Sequence, residues 1–389
     1  MRENKKIFLV AFIFLLVGIF IGYNKDAIYA FSSPIFGVKV STDSIDLSLL
    51  QKTYKLLAAN YDGKIDKTAL INSANKGMVN ALGDKYTIYM TAKEASEFGD
   101  SLTGDIGGGI GAEIGMRDNK PTIVDILSGD PAEKVGIKAN DIIIDINDES
   151  VSNWTLDKVI SKVRGDIGTT VKLTIERDNS QLNFSVTRES ISNPSVSSKV
   201  EDNIGIITIS RFGDDTSDLV IAAANKFKSQ NVKGVIVDLR DNGGGYLTAA
   251  KDVAGVWLNN KTVTTERVGN KITDDEKTDS NAILNGVKTV VVVNKNTASA
   301  SEILSGALQD YGVATIVGES TYGKGCVQNL FDLGSGAELK VTIAKWYTPN
   351  GKNIMGVGIT PNTKIDLTKS DVSSGTDTQL NKAKELINQ

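Results

Sequence analysis

The chain of 389 residues carries 43 Lys and Arg against 47 Asp and Glu, a net charge of −4, so it lacks the overall basic field that draws nucleic acid. One cysteine, Cys326, and no histidine exclude an intramolecular disulfide framework, the usual zinc ligand sets and any Ser-His-Asp relay. An apolar share of 40% with 6% aromatics suits two or three domains on aliphatic cores, and no spacing of acidic residues implies a metal or other cofactor.

Arg2, Lys5 and Lys6 precede an uncharged run over residues 7–23. At about 1.5 Å per residue, a helix of that length matches a bilayer core only with its flanks. Residues 1–24 read either as a single-pass transmembrane anchor with its N-terminus inside, or as a signal peptide with Ala30 before the cut. The run exceeds the roughly 7–15 apolar residues of a signal peptide, which favours the anchor. Both readings export the rest of the chain: it is extracytoplasmic at the cell membrane, or secreted if cleaved.

Residues 25–98 form a linker through Ser32, Ser33, Pro34 and Gly37, followed by a helical region. Leu49, Leu50, Tyr54, Leu56 and Leu57 recur at helical spacing, then Ala69, Ala74, Met78 and Leu82, until Gly83-Asp84-Lys85-Tyr86 stops the pattern. This predicts a small helical lead-in that packs on something else.

Over residues 99–190 a glycine cluster, Gly107 to Ala112, is followed by β-rich runs at 122–127, 141–146 and 171–176. Between the last two runs, Leu156, Val159, Ile160 and Val163 share one helical face. The cluster is no dinucleotide fingerprint, because residues 112–116 read as a strand where a helix should open. A Gly-apolar-Gly loop entering a strand presents successive N–H groups to a carboxylate and a strand edge to an extended peptide; the same glycines also suit tight turns. Arg164, closing the helix, stands where it meets a peptide or a neighbouring domain, or where the helix dipole alone favours a cation.

Over residues 191–370 strands alternate with helices, predicting a buried sheet with crossover helices, and residues 371–389 hold a short amphipathic helix. The fold class is multidomain α/β. Thr297-Ala298-Ser299-Ala300-Ser301-Glu302 falls on a strand-to-helix turn. A serine nucleophile there is exposed at the sheet end beside the free N–H groups of a helix N-terminus, though Ser and Thr are also favoured helix caps. Sequence spacing does not separate Ser299 from Ser301.

With no histidine present, Lys324 is the base to consider. A lysine desolvated in an apolar pocket has a lowered pKa and acts as a general base near neutral pH. Strand alternation puts Lys324, Cys326 and Gln328 on one face, so Gln328 is set to hydrogen-bond the amine while Cys326 lines the site without being the nucleophile. The loop Asp241-Asn242-Gly243-Gly244-Gly245 permits positive φ and close backbone approach, as an oxyanion donor or as a tight turn.

The serine run, the Gly318-Glu319 and Tyr322-to-Gln328 segments, Asp238 to Gly245, and Trp346-Tyr347-Thr348-Pro349-Asn350-Gly351 together resemble the carboxyl-terminal processing, or tail-specific, protease family. Gly77-Met78-Val79 and Leu82-Gly83-Asp84 fit that family's lead-in, and Asp130-Pro131-Ala132, Gly136-Ile137 and Asp141-Ile142 resemble a PDZ domain of the bacterial protease type. The likeness runs from about residue 47 to the C-terminus, with one departure: Cys326 stands where the family more often has Ser or Thr.

The resemblance implies a serine endopeptidase with a ClpP/crotonase-like core, Ser299 as nucleophile, Lys324 as base and Gln328 in support. It further implies an oxyanion hole from Gly243 or Gly244 with Ala300, and capture of free C-termini of proteins or peptides by Gly109, Ile110, Gly111, Ala112 and Arg164. It implies no cofactor and no nucleic acid, with the membrane and a second copy of the chain, through lead-in and tail, as further partners. The alternatives are a catalytically silent, membrane-tethered PDZ peptide-binding protein, which predicts broken motifs, and a crotonase-type acyl-thioester enzyme, which export disfavours.

Overall fold

The strand Thr289–Val293, one threonine and four valines, is buried along its whole length, as a strand enclosed on both faces requires. It lies within a six-stranded sheet ordered Val196–Glu201, Ile204–Ile209, Val235–Asp238, Thr289–Val293, Ala314–Gly318, Thr363–Lys364. The first pair is antiparallel and the rest run parallel. Parallel neighbours need crossovers, and the helices Thr216–Ser229, Leu247–Ala254 and Ala300–Asp310 lie in them.

Strand alternation divides the sheet's side chains between two cores. Ile207, Val237, Val291 and Ile316 pack with Phe227 and Trp257 among the crossover helices. Ile206, Ile236, Val290, Val292 and Val317 pack instead with Ala383 and Ile387 of the C-terminal helix Thr378–Asn388. Close packing leaves no room for a side chain at Gly205, where a Cβ would sit 2.4 Å from the Phe227 ring.

The computed structural model describes residues 41, 43–127, 129–279, 281–368, 371 and 375–389. The apolar run at 7–23, and with it the expected membrane helix, lies outside the described residues. Among those described, no helix is long and apolar enough to cross a membrane. The chain forms two compact units, one of the described residues through Tyr89 with Leu330–Leu333 and Glu338–Lys340, the other of the remainder.

In the first unit the helical lead-in is two helices, Ser48–Asn60 and Lys67–Asn80, the second capped by Asp66, whose carboxylate accepts the Ala69 N–H at 3.0 Å. No residue of Ser48–Asn60 is buried, so Leu49, Leu50, Leu56 and Leu57 form an apolar face left open. The helical expectation for residues 47–98 is interrupted by the strand Ile88–Met90.

In the second unit, residues 105–192 form an antiparallel module ordered Ala112–Arg117, Lys120–Ile126, Ile142–Ile146, Thr170–Arg177, Ser180–Thr187. Its hairpins turn on Asp118-Asn119 and Asp178-Asn179, both pairs at positive φ, the geometry that matches strand twist. Val171, Leu173 and Ile175 point inward from alternate positions onto Val159 of the helix Leu156–Val163. Arg188 fixes that helix by donating to the carbonyls of Val163 at 2.7 Å and Lys162 at 2.9 Å. Arg211 donates to the carbonyls of Leu102, Thr103 and Asn193, tying both ends of the module to the core.

Phe227 fills the space that Gly205 leaves open. Phe227→Ala is expected to lower unfolding free energy by about 3–5 kcal/mol. Denaturant titration reads this as a lower midpoint, and a loss under about 1 kcal/mol would contradict the packing.

Candidate active site

Ser299 joins the strand Thr289–Val293 to the helix Ala300–Asp310 at φ 55° and ψ −117°, backbone angles that cost a side-chain-bearing residue about 1–3 kcal/mol. The fold holds it there from both sides. Before it, the Ala298 N–H donates to Asn242 O at 3.0 Å, and Thr297, wholly buried, donates through Oγ1 to Leu239 O at 2.8 Å. After it, the helix starts at once, and the Ala300 N–H has no partner among the described residues. The structure separates the two serines: Ser301 is wholly buried with its Oγ on Asn242 O at 3.1 Å, whereas Ser299 is half-buried. Ser301 therefore lies inside the helix and does not cap it.

Glu302, wholly buried, accepts four hydrogen bonds. Its Oε2 takes the backbone N–H of Ser299 at 2.8 Å and that of Lys324 at 2.9 Å. Its Oε1 takes the Gly323 N–H at 2.7 Å and the Thr321 hydroxyl at 2.5 Å. One carboxylate thus clamps the serine turn to the lysine loop. The loop is closely packed beyond this point, since a Cβ at Gly325 would lie 2.7 Å from Met355 N, and the Trp346 indole N–H donates to Lys324 O at 2.8 Å.

Burial pushes the Lys324 amine below the ordinary lysine range, against the opposing influence of Cys326, Tyr322 and Glu302. Cys326 is buried and begins the strand Cys326–Gly334. Gln328 shares its face, but its amide donates to Cys326 Sγ at 3.6 Å. No bond from Gln328 to the lysine amine is found among the described residues: Cys326 opens the strand two positions before Gln328, whereas Lys324 precedes the strand.

The glycine loop meets the serine turn through Asn242, wholly buried, whose side-chain amide donates to Ile209 O at 2.8 Å. A Cβ on Gly244, at φ 104°, would lie 2.7 Å from the Ser299 Cβ. Its N–H, however, donates to Asn242 Oδ1 at 2.8 Å, which removes Gly244 as an oxyanion donor in this arrangement. The N–H groups of Gly243 and Ala300 have no partner among the described residues. Next to the loop, Arg240 lies between Asp238 at 2.6 Å and Asp377 at 2.8 Å. Burial opposes its charge, but the two carboxylates raise its pKa above the usual guanidinium value.

A second candidate site lies in the antiparallel module. A cavity of about 500 Å³ runs between the edge strand Ala112–Arg117 and the helix Leu156–Val163, lined by Ile110, Leu127, Ile160, Val163 and Arg164 among others. At its closed end the Ile110 carbonyl accepts the Ala132 N–H at 2.8 Å and the Gly111 carbonyl the Leu127 N–H at 2.9 Å. The N–H groups of Ile110 and Gly111 have no partner among the described residues. Gly109 ends the adjoining strand Asp105–Gly109, and Ala112 opens the groove edge.

Residues 203–365 match the model of Peptidase family S41, residues 108–187 that of the PDZ domain, and residues 35–94 that of the activating protease CtpB N-terminal domain. The "Probable CtpA-like serine protease" of Staphylococcus haemolyticus (strain JCSC1435) is 36% identical over 359 residues, 91% of this chain and 72% of that one. The chain belongs to peptidase family S41. A relative of the same name from Staphylococcus aureus (strain MSSA476) is 35% identical over 330 residues, 84% of this chain and 66% of that one. The solved photosystem II D1 C-terminal processing protease aligns over 83% of this chain and 87% of its own, at 26% identity and a TM-score of 0.49.

This S41 chain is a serine-type peptidase of the carboxyl-terminal processing family, with a PDZ domain in the antiparallel module and an α/β core. Sequence reasoning passed over Glu302 and Asn242. The Ser-x-x-Glu spacing of Ser299 and Glu302 was the available signal for the first, because it places the glutamate within reach of the serine's backbone N–H. Nothing in the sequence pairs Asn242 with Ala298 and Ser301, which lie more than 50 positions away.

Glutamine at position 302 would offer one carbonyl oxygen and an NH₂ to four donors. Glu302→Gln is expected to lower kcat by about 10- to 100-fold through displacement of the serine turn. Steady-state kinetics on a peptide reporter measure it, and full activity in a folded variant would rule out the clamp.

Proposed function

We propose that this S41 peptidase is an extracytoplasmic serine endopeptidase that captures substrate C-termini in its PDZ groove and cleaves upstream with Ser299 and Lys324. The observation that carries the reading is the shared Glu302 Oε2, which holds the backbone N–H groups of the nucleophile and the base on one oxygen. The neutral Lys324 amine takes the Ser299 hydroxyl proton as Oγ attacks the scissile carbonyl. Gly243 and Ala300 N–H groups receive the oxyanion, a role in which loss of one donor costs about 10²–10³ in kcat. The Lys324 ammonium then protonates the leaving amine, and the same lysine activates the water that releases the acyl group. In this cycle Gln328 holds Cys326 and the strand face beside the lysine.

The groove supports tail capture because the Ile110 and Gly111 N–H groups suit a terminal carboxylate, Arg164 adds a cation, and the free strand edge pairs with an extended chain. A captured tail raises the local concentration of the scissile bond to the millimolar scale set by its length. We assign the PDZ domain to residues 99–190 and the catalytic core to residues 191–370, with the chain held at the membrane by residues 1–24 or secreted after their removal. A homodimer through the lead-in helices belongs to the same proposal, supported by their open apolar face.

An unfolded reporter with a free apolar C-terminus and its amidated twin test this reading. The free-tailed reporter is expected to be cut faster, and Ser299→Ala and Lys324→Ala each to abolish cleavage. Equal cleavage of the twins would remove tail capture, and residual activity in Ser299→Ala would move the nucleophile elsewhere.

The pH dependence has a defined sign. Burial favours the neutral amine of Lys324, so the reactive form is populated at lower pH than for an exposed lysine, whose pKa is about 10.4. The kcat/KM of the wild type should rise with pH along an acid limb below that value, and a limb at the ordinary lysine pKa would exclude a desolvated base.

A further inference from the structure

The groove has a charge pattern that its peptide-binding geometry does not use. Glu113 and Asp125 both line the cavity and stand directly opposite each other on paired strands. Like charges in that position repel, and among the described residues neither carboxylate forms an ion pair with Lys or Arg. Asp125 has one hydrogen bond, accepting the Ile126 N–H at 2.9 Å, and both residues are exposed.

Their direction follows from strand alternation. Ala112 and Ile114 pack on the module's core, so Glu113 between them points to the opposite face, as does Asp125 beside the core-packed Ile126. A peptide added along the edge of Ala112–Arg117 obeys the same alternation. If its last side chain enters the apolar space near Ile160 and Val163, the side chains one and three positions before it face the carboxylate side. The terminal carboxylate meets the Ile110–Gly111 N–H groups and Arg164 at the other end.

We infer that the groove selects polypeptide tails that end in an apolar residue and carry Lys or Arg one or three positions before it, read by Glu113 and Asp125. The inference rests on the tail-capture reading and adds a substrate class to it. A cation in the ligand relieves the repulsion between the two carboxylates, which an acidic tail would worsen. Exposed ion pairs of this kind are worth up to about fivefold in affinity, and they weaken with salt.

Fluorescence anisotropy on the full chain carrying Ser299→Ala tests the inference with three peptides identical except for Lys, Ala or Glu at both positions. The lysine tail is expected to bind about fivefold tighter than the alanine tail and the glutamate tail more weakly, with the spread narrowing at high salt. In the Glu113→Gln, Asp125→Asn double variant the lysine-to-alanine affinity ratio should fall to about one. An unchanged ratio in that variant, or equal binding of all three tails by the parent, would overturn the charge readout while leaving tail capture standing. Failure of every tail to bind would remove both.

Discussion

A single buried carboxylate holds together the two segments of the candidate active site. Glu302 has no contact with solvent, and a carboxylate in that position is costly unless its oxygens are fully hydrogen-bonded. The four donors that satisfy it come from Ser299, Thr321, Gly323 and Lys324, on two segments that meet only in the folded core. Displacing either segment leaves charge uncompensated, so the serine turn and the lysine loop are positioned together or not at all. The unfavourable backbone of Ser299 persists because this arrangement over-determines it.

The sheet explains why these segments come within reach. Val235–Asp238, Thr289–Val293 and Ala314–Gly318 are consecutive parallel neighbours, so the chain leaves all three at the same edge. The glycine loop follows the first, the serine turn the second, and the segment leading to Lys324 the third. Loops at the carboxyl ends of parallel strands are where such sheets place ligands. Packing enforces the spacing there: a Cβ on Gly318 would lie 1.9 Å from Val293 O.

Two arginines connect the site to distant parts of the second unit. Arg240 joins Asp238, at the end of the strand before the glycine loop, to Asp377, which also caps the C-terminal helix by accepting the Leu380 N–H at 2.9 Å. That helix covers the opposite face of the sheet, so its position and that of the glycine loop are mechanically linked. Arg211 holds the entry and exit of the PDZ domain and is followed by Phe212, whose N–H donates to Gly244 O at 2.9 Å. The two candidate sites are therefore joined by a short run of backbone and not by a free linker.

The sequence by itself determined the family and the kind of fold, and it narrowed the candidate chemistry. The absence of histidine left lysine as the candidate base, the β-branched run at 289–293 announced a strand that is buried along its length, and the glycine cluster before a strand offered a candidate carboxylate loop, because each depends on residue type and near neighbours alone. Tertiary structure decided which serine is accessible, which glycine keeps a free N–H, where the Gln328 amide points and what holds Ser299 to Lys324. The Gly244 and Gln328 bonds join residues only two apart and turn on local orientation. The choice of serine and the clamp rest instead on hydrogen bonds between groups about 20 to 60 residues apart, such as Asn242 with Ser301 and Glu302 with Lys324. No local pattern encodes such a meeting, since it exists only once the parallel strands have brought their ends together.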